Sequence, residues 1–211
     1  MRRVIVDPRR PLVAALEEAA QVIRGGGVVA MPTDTLYGLA VDPFRVDAVA
    51  QVFAVKGRSA ERALPLVAAD VEQVIEWIGP LPALARRLAA QFWPGPLTLI
   101  VHAPAALASG VTGGTGTVGV RVPAHEVARA LCRACGMPLT ATSANVSGAS
   151  PSSSPDDVER TLGDRIDLLI DAGLTLGGPP STIVDVTAFL PRCVRAGAIA
   201  WEEIDACVRS A

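Results

Sequence analysis

Apolar and polar positions along this chain follow two rhythms, one near 3.6 residues and one near 2, and their succession predicts a protein of mixed helices and strands. Residues 12–24 carry apolar side chains at helical spacing and stop at Gly25-Gly26-Gly27, which predicts an amphipathic helix. Residues 28–31 form a short apolar strand halted by Pro32, and its carboxyl end delivers the polar segment Thr33 to Ala40. Further helices are predicted over 46–53, 71–77, 81–92, 124–135 and 201–208. Strands are predicted over 64–68, 97–101, 117–122, 139–141, 168–170, 182–186 and 193–195. Ser154-Pro155-Asp156-Asp157 has the cap, early proline and early acids of a helix start, so the Gly/Ser/Pro run before it is a loop within one domain. No repeat period interrupts this order, and an α/β or α+β sheet domain follows.

Composition narrows the picture. With half of its 211 residues apolar and 19% charged, the chain has ample material for a core, and disorder is excluded as its general state. The longest uncharged stretch lies between Arg87 and Arg121 and is broken by Pro94, Pro96 and Pro104, so it reads as strands and loops rather than a membrane span. The basic amino terminus lacks an apolar core and a cleavage site, and a cytoplasmic location is the expectation. A formal charge of −2 gives no field to attract nucleic acid, so any anion site must be local. Cys132, Cys135, Cys193 and Cys207 are read as reduced core residues.

Lys56 is the only lysine beside 18 arginines, Asn145 the only asparagine and Tyr37 the only tyrosine. Such a bias follows from G/C-rich codon usage, under which surviving Lys, Asn and Tyr are candidates for retained roles. Several familiar strings fail in context. Gly114-Thr115-Gly116-Thr117-Val118-Gly119 matches a dinucleotide fingerprint but is followed by a strand pattern and has no acid near residue 139. The sole lysine lacks a phosphate-loop glycine ahead of it, and Cys132-x-x-Cys135 sits alone on an apolar helix. His102 and His125 fit packing or capping, and no hydrolase triad order is present.

Other strings cohere. Lys56, Arg58 and Arg62 place a point charge and two guanidinium forks in one Gly-containing loop, as suits phosphate or carboxylate. Arg121 alternates with Val120 and Val122, so its partner must be a distant side chain or a ligand anion. Thr142 to Gly148 (TSANVSG) offers three hydroxyls and an amide just after a strand, suited to phosphate, ribose or a metal-bound water.

Seven strings occur in order: Thr33-Asp34-Thr35-Leu36-Tyr37-Gly38-Leu39, Lys56-Gly57-Arg58, Pro94-Gly95-Pro96-Leu97-Thr98, Thr117 through Pro123, Ser143-Ala144-Asn145-Val146-Ser147-Gly148, Ser181-Thr182-Ile183-Val184-Asp185 and Arg195-Ala196-Gly197. Together they resemble the YrdC-like threonylcarbamoyl-AMP synthases, whose hallmark is Lys-x-Arg with a distant Ser-x-Asn. The resemblance implies an α/β fold, a twisted mixed sheet with flanking helices around a basic cleft. It implies synthesis of L-threonylcarbamoyl-AMP from L-threonine, bicarbonate or CO2, and ATP with Mg2+, releasing pyrophosphate. The product would pass to tRNA threonylcarbamoyl-transfer proteins for modification of adenosine 37, with weak direct tRNA binding left open and no membrane partner.

Carried over by position, Lys56, Arg58, Ser143 and Asn145 would form the catalytic tetrad. Arg58, Arg62, Thr117, Ser143 and Arg195 would line the ATP side; Thr35, Arg121 and the backbone at Ala141 would hold threonine; no protein metal ligand is assigned. Two positions depart from the family pattern: Val67 stands where many relatives have a His that helps hold threonine, and Arg62 where Asn or Lys is common. The length leads to the expectation of the short form, a single domain over 1–211. The rival reading is a double-stranded RNA or tRNA-binding module, against which stand the low net charge and a single tyrosine of a solvent-facing type. A carbamoyl-transfer domain is the second rival, found in chains much longer than this one.

Overall fold

The computed structural model describes residues 1–57 and 63–209. Its elements in chain order are β1 (Arg2–Ile5), α1 (Val13–Arg24), β2 (Val29–Met31), β3 (Gly38–Ala40), α2 (Val46–Lys56), β4 (Leu66–Val67), α3 (Val71–Ile78) and α4 (Ala83–Phe92). There follow β5 (Leu97–His102), α5 (Ser109–Thr112), β6 (Thr117–Arg121), α6 (Glu126–Cys135), β7 (Leu139–Thr140) and β8 (Thr142–Ser143). The last are α7 (Pro155–Leu162), β9 (Leu168–Asp171), β10 (Thr182–Asp185), β11 (Arg192–Arg195) and α8 (Trp201–Arg209). Local signals explain most boundaries. Ser154 caps α7, its Oγ accepting from the Asp157 N–H at 3.5 Å, and Asp70 caps α3 by accepting from the Gln73 N–H at 2.9 Å. Gly57, at φ +60°, ends α2 in the left-handed conformation directly after Lys56.

The α/β class holds, and the strands divide between two mixed sheets rather than the one twisted sheet that the resemblance implies. The first has the order β1-β9-β2-β3-β8, with β1, β9 and β2 parallel and the β2-β3 and β3-β8 pairs antiparallel. The second has the order β11-β10-β5-β6-β4-β7, with parallel pairs β10-β5 and β4-β6. Two buried clusters pack against them. Successive residues of the short strands point to opposite sides, so Leu39 and Leu66 enter one cluster while Ala40 and Val67 enter the other.

The seam between the sheets is the chain segment from β7 to β8, which leaves the second sheet at Thr140 and enters the first at Thr142. Ala141 is the single residue between, and its N–H donates to the Pro65 carbonyl at 2.8 Å. Thr140 Oγ1 ties the seam to the neighbouring strand, accepting from the Val41 N–H at 3.0 Å and donating to the Leu39 carbonyl at 3.2 Å. These bonds hold the two sheet edges at a fixed separation, and a cavity opens between them.

Some expectations change. Cys132 is buried and Cys135 and Cys207 are partly buried, but Cys193 is exposed on edge strand β11, so it is not a core residue. Tyr37 is fully buried rather than solvent-facing, and its hydroxyl donates to the Gly173 carbonyl at 2.7 Å. No helix among the described residues is long and apolar enough to cross a membrane.

Candidate active site

The cavity at the seam measures about 460 Å³ and draws its walls from both sheets: Gly38 and Ser143 from the first, Val67, Thr98, Gly119 and Arg121 from the second. Its floor depends on Gly119, because a Cβ there would meet Thr98 Cγ2 at 3.0 Å. Thr117, Gly119 and Arg121 share one face of β6 by strand alternation, but only the last two line the cavity.

The loop from β2 to β3 supplies one rim. Thr33 Oγ1 accepts from the backbone N–H groups of Thr35 and Leu36, each at 3.3 Å, and donates to the Leu36 carbonyl at 2.7 Å, which closes a tight polar turn. Thr35 lines the cavity, and its carbonyl accepts from the Gly177 N–H and from Thr175 Oγ1, both at 2.9 Å. The segment around Thr175 is thereby fastened to the rim.

Lys56 ends α2 with only 2% of its surface exposed. Its ammonium donates to the Ser143 carbonyl at 2.5 Å, the Asn145 carbonyl at 3.0 Å and Asn145 Oδ1 at 3.1 Å, with Ser143 Oγ at 3.4 Å. Ser143 Oγ donates to Asn145 Oδ1 at 2.5 Å, and the Ser147 N–H donates to the Lys56 carbonyl at 2.8 Å. A buried ammonium needs such oxygens to offset its desolvation, and here they come from the turn that follows β8. The cation therefore shapes the Ser-x-Asn turn, and Ser143 carries that shape to the cavity wall.

Two guanidiniums face the cavity, Arg121 from the end of β6 and Arg195 from β11. Burial depresses the Arg121 pKa, and the nearby Asp34 carboxylate partly offsets that depression. Arg195 is depressed by burial first and by the Arg121 charge second. Its Nη2 donates to the Ser181 carbonyl at 2.7 Å and to Ser181 Oγ at 3.1 Å, and Ser181 Oγ lies 2.8 Å from Thr98 Oγ1. Two like charges that disfavour each other across a partly desolvated space are both relieved by an anion placed between them.

Of the residues expected from sequence, Thr35, Arg121, Ala141, Ser143 and Arg195 line this one cavity. Lys56 and Asn145 stand behind Ser143 and bond to it, and Thr117 is off the cavity, its Oγ1 2.9 Å from Thr115 Oγ1. Arg58 and Arg62 lie outside the described residues. Val67 lines the cavity and supplies no polar side chain there. Asp34 was not nominated; its signal was an acid inside a buried polar motif, 2.9 Å from Arg121. Among the described residues no group of three or more His, Cys, Asp or Glu could hold a metal ion.

The fold and cavity define an α/β protein with a local cationic site, in which two guanidiniums line one cavity. The family model described as "Telomere recombination" (Sua5, YciO, YrdC) matches residues 21–197, and the chain belongs to this family. It is 39% identical over 194 residues to threonylcarbamoyl-AMP synthase of Bacillus subtilis, covering 92% of this chain and 56% of that protein. The corresponding protein of Marinobacter nauticus is 39% identical over 183 residues, covering 86% of this chain and 96% of its own. A crystal structure of Pyrococcus abyssi Sua5 complexed with L-threonine superposes with a TM-score of 0.94 at 36% identity, over 99% of this chain and 61% of that one. The chain thus spans little more than half the length of some of the curated relatives it matches.

Proposed function

We propose that this chain makes L-threonylcarbamoyl-AMP from L-threonine, bicarbonate or CO2, and ATP, releasing pyrophosphate. The observation that carries the reading is the pair of guanidiniums, Arg121 and Arg195, facing one cavity whose polar rim includes Thr35 and Ser143. The relative that holds L-threonine with the same fold supports it.

The amine of threonine loses a proton and bonds to CO2, giving a carbamate. A carbamate oxygen then bonds to the α-phosphorus of ATP as the bond to the bridging oxygen breaks, and pyrophosphate leaves with its electron pair. No strong base is required; the barrier lies in gathering a carboxylate, a carbamate and three phosphates in one place. Arg121 holds the threonine carboxylate, with Thr35 and the Ala141 backbone beside the rest of the amino acid. Arg195 and Ser143 serve the phosphates, with Arg58 and Arg62 expected on the ATP side. Lys56 and Asn145 keep Ser143 in place. Mg2+ would come with ATP and supply further neutralisation of phosphate charge; among the described residues the cavity wall offers hydroxyls and guanidiniums rather than carboxylates. Residues 1–211 act in this reading as one YrdC-like domain, in the cytoplasm, where the product passes to proteins that transfer it to tRNA.

Pyrophosphate release tests the reading. Purified protein with ATP, Mg2+, L-threonine and bicarbonate should release pyrophosphate without RNA, and the product mass should match L-threonylcarbamoyl-AMP. Omitting bicarbonate in degassed buffer should abolish release. Release that persists without bicarbonate, or that requires tRNA, would refute the reading and point to an aminoacyl-adenylate former or an RNA-binding module.

A further inference from the structure

Asp34 and Arg121 meet across the seam between the sheets, with Asp34 Oδ1 2.9 Å from Arg121 Nη1 and both side chains under a tenth exposed. Neither carboxylate oxygen of Asp34 has a hydrogen-bond partner among the described residues, and neither does Arg121 Nη1; all three atoms are fully enclosed. The contact is therefore electrostatic rather than an aligned fork. Because Nη1 and both Asp34 oxygens are closed off, the cavity sees Arg121 through its other atoms, and the carboxylate lies behind the guanidinium.

We infer that Asp34 is a positioning residue, which holds Arg121 from behind so that the free side of its guanidinium selects a carboxylate in the cavity; this rests on the reading that Arg121 binds the carboxylate of L-threonine. A guanidinium has two forks, and a carboxylate that filled one bidentately would compete with a ligand for the charge. A single off-axis contact leaves the ligand side open while offsetting part of the cost of burying the cation. The motif around Asp34 is suited to this. Thr33 Oγ1 bonds the N–H groups of Thr35 and Leu36, so the backbone around the acid is held in one turn, which fixes the point from which its carboxylate meets Arg121. His125, the residue before α6, also feels Asp34; burial pushes its pKa down while Asp34 and Glu126 act against that, and its Nδ1 has no hydrogen-bond partner among the described residues.

The test compares L-threonine with L-threoninamide, which lacks the carboxylate, by calorimetric titration of the wild-type protein and of Asp34→Asn. The wild type should prefer threonine by about tenfold or more, and Asp34→Asn should cut that preference to about threefold or less while ATP binding stays within about twofold. Asp34→Ser, smaller and equally uncharged, answers the same question where the Asn variant does not fold. A folded variant that keeps the wild-type preference overturns the inference. So does parallel loss of ATP and threonine binding in both variants, which marks a structural role. A wild type that binds both ligands equally removes the carboxylate assignment itself, and the inference with it.

Discussion

Lys56 Nζ lies 2.5 Å from the Ser143 carbonyl oxygen, joining the end of α2 to a turn 87 positions further along the chain. That contact makes the only lysine of the protein a brace for the Ser-x-Asn turn as well as a charge near the cavity. Its oxygens converge on one point, which suits a compact ammonium and not a planar fork. Lys56→Arg should therefore fold yet lose about tenfold or more in turnover, equivalent to about 1.4 kcal/mol. Lys56→Met should also lose stability, because buried carbonyls left without a donor cost about 1–3 kcal/mol. Steady-state pyrophosphate release and denaturant unfolding check the two claims, and near-native turnover by folded Lys56→Arg would contradict the first.

How much of this was legible beforehand depends on how local each signal is. Helix α1 shows in its periodicity and glycine stop, α6 in its periodicity and the α7 cap in Ser154-Pro155; α2 shows in its periodicity but runs on through Lys56, which the sequence places in the following loop. Strand β1 did not, because Arg2–Ile5 is short, lies in a basic terminus and becomes a strand by pairing with β9, whose register joins Arg2 to Leu168. The division into two sheets is nonlocal in the same way, since it turns on whether two-residue strands such as β7 and β8 pair left or right. At the site, chemistry was readable as residue type and motif order. Which residue touches the cavity and which stands behind it was not: Lys56 and Asn145 read as ligand-facing, and Asp34 has no role in the sequence reading beyond its place in the motif. Distance from the cavity is a property of packing, and no residue type encodes it.

Arg121 and Arg195 share the cavity but serve different ends of the substrate set in the proposed reaction. Arg121→Lys keeps the charge and loses the fork, so the KM for threonine should rise about tenfold or more with little change in the KM for ATP. Arg195→Lys should show the reverse pattern. Equal rises in both constants for Arg121→Lys, or a rise for ATP alone, would assign Arg121 to the nucleotide.

Gly197 matters through space rather than flexibility. A Cβ built there would lie 2.3 Å from the Pro180 carbonyl oxygen and 2.6 Å from the backbone of Ser181 and Thr182. Backbone cannot yield as a side-chain end can, so Gly197→Ala must displace the segment that carries Ser181, the partner of Arg195. A loss of about 1–3 kcal/mol in stability is expected, with a weaker grip on ATP than on threonine. Unfolding curves and separate titrations of the two ligands check it, and an unchanged ATP affinity would detach this segment from the nucleotide side.

Tyr37 gives a pH dependence whose sign follows from burial. Its pKa is pushed up to about 12, chiefly by burial, while the Ala172 N–H donated to its hydroxyl acts in the opposite direction. The unfolded chain releases this proton near pH 10, whereas the folded chain keeps it. Between those values the unfolded state binds fewer protons, so stability is full below about pH 10 and falls as pH rises toward 12. Because Tyr37 is the only tyrosine, tyrosinate absorbance reports this one group: the native protein should titrate near pH 12 and the denatured protein near 10. Tyr37→Phe gives up the hydrogen bond to Gly173 and should be less stable by about 1 kcal/mol at neutral pH. It also removes the alkaline titration, so the stability difference from wild type should shrink as pH rises above 10. A native titration near pH 10 would show the hydroxyl open to water, and the latch between the Thr33–Tyr37 turn and Gly173 would have to be abandoned.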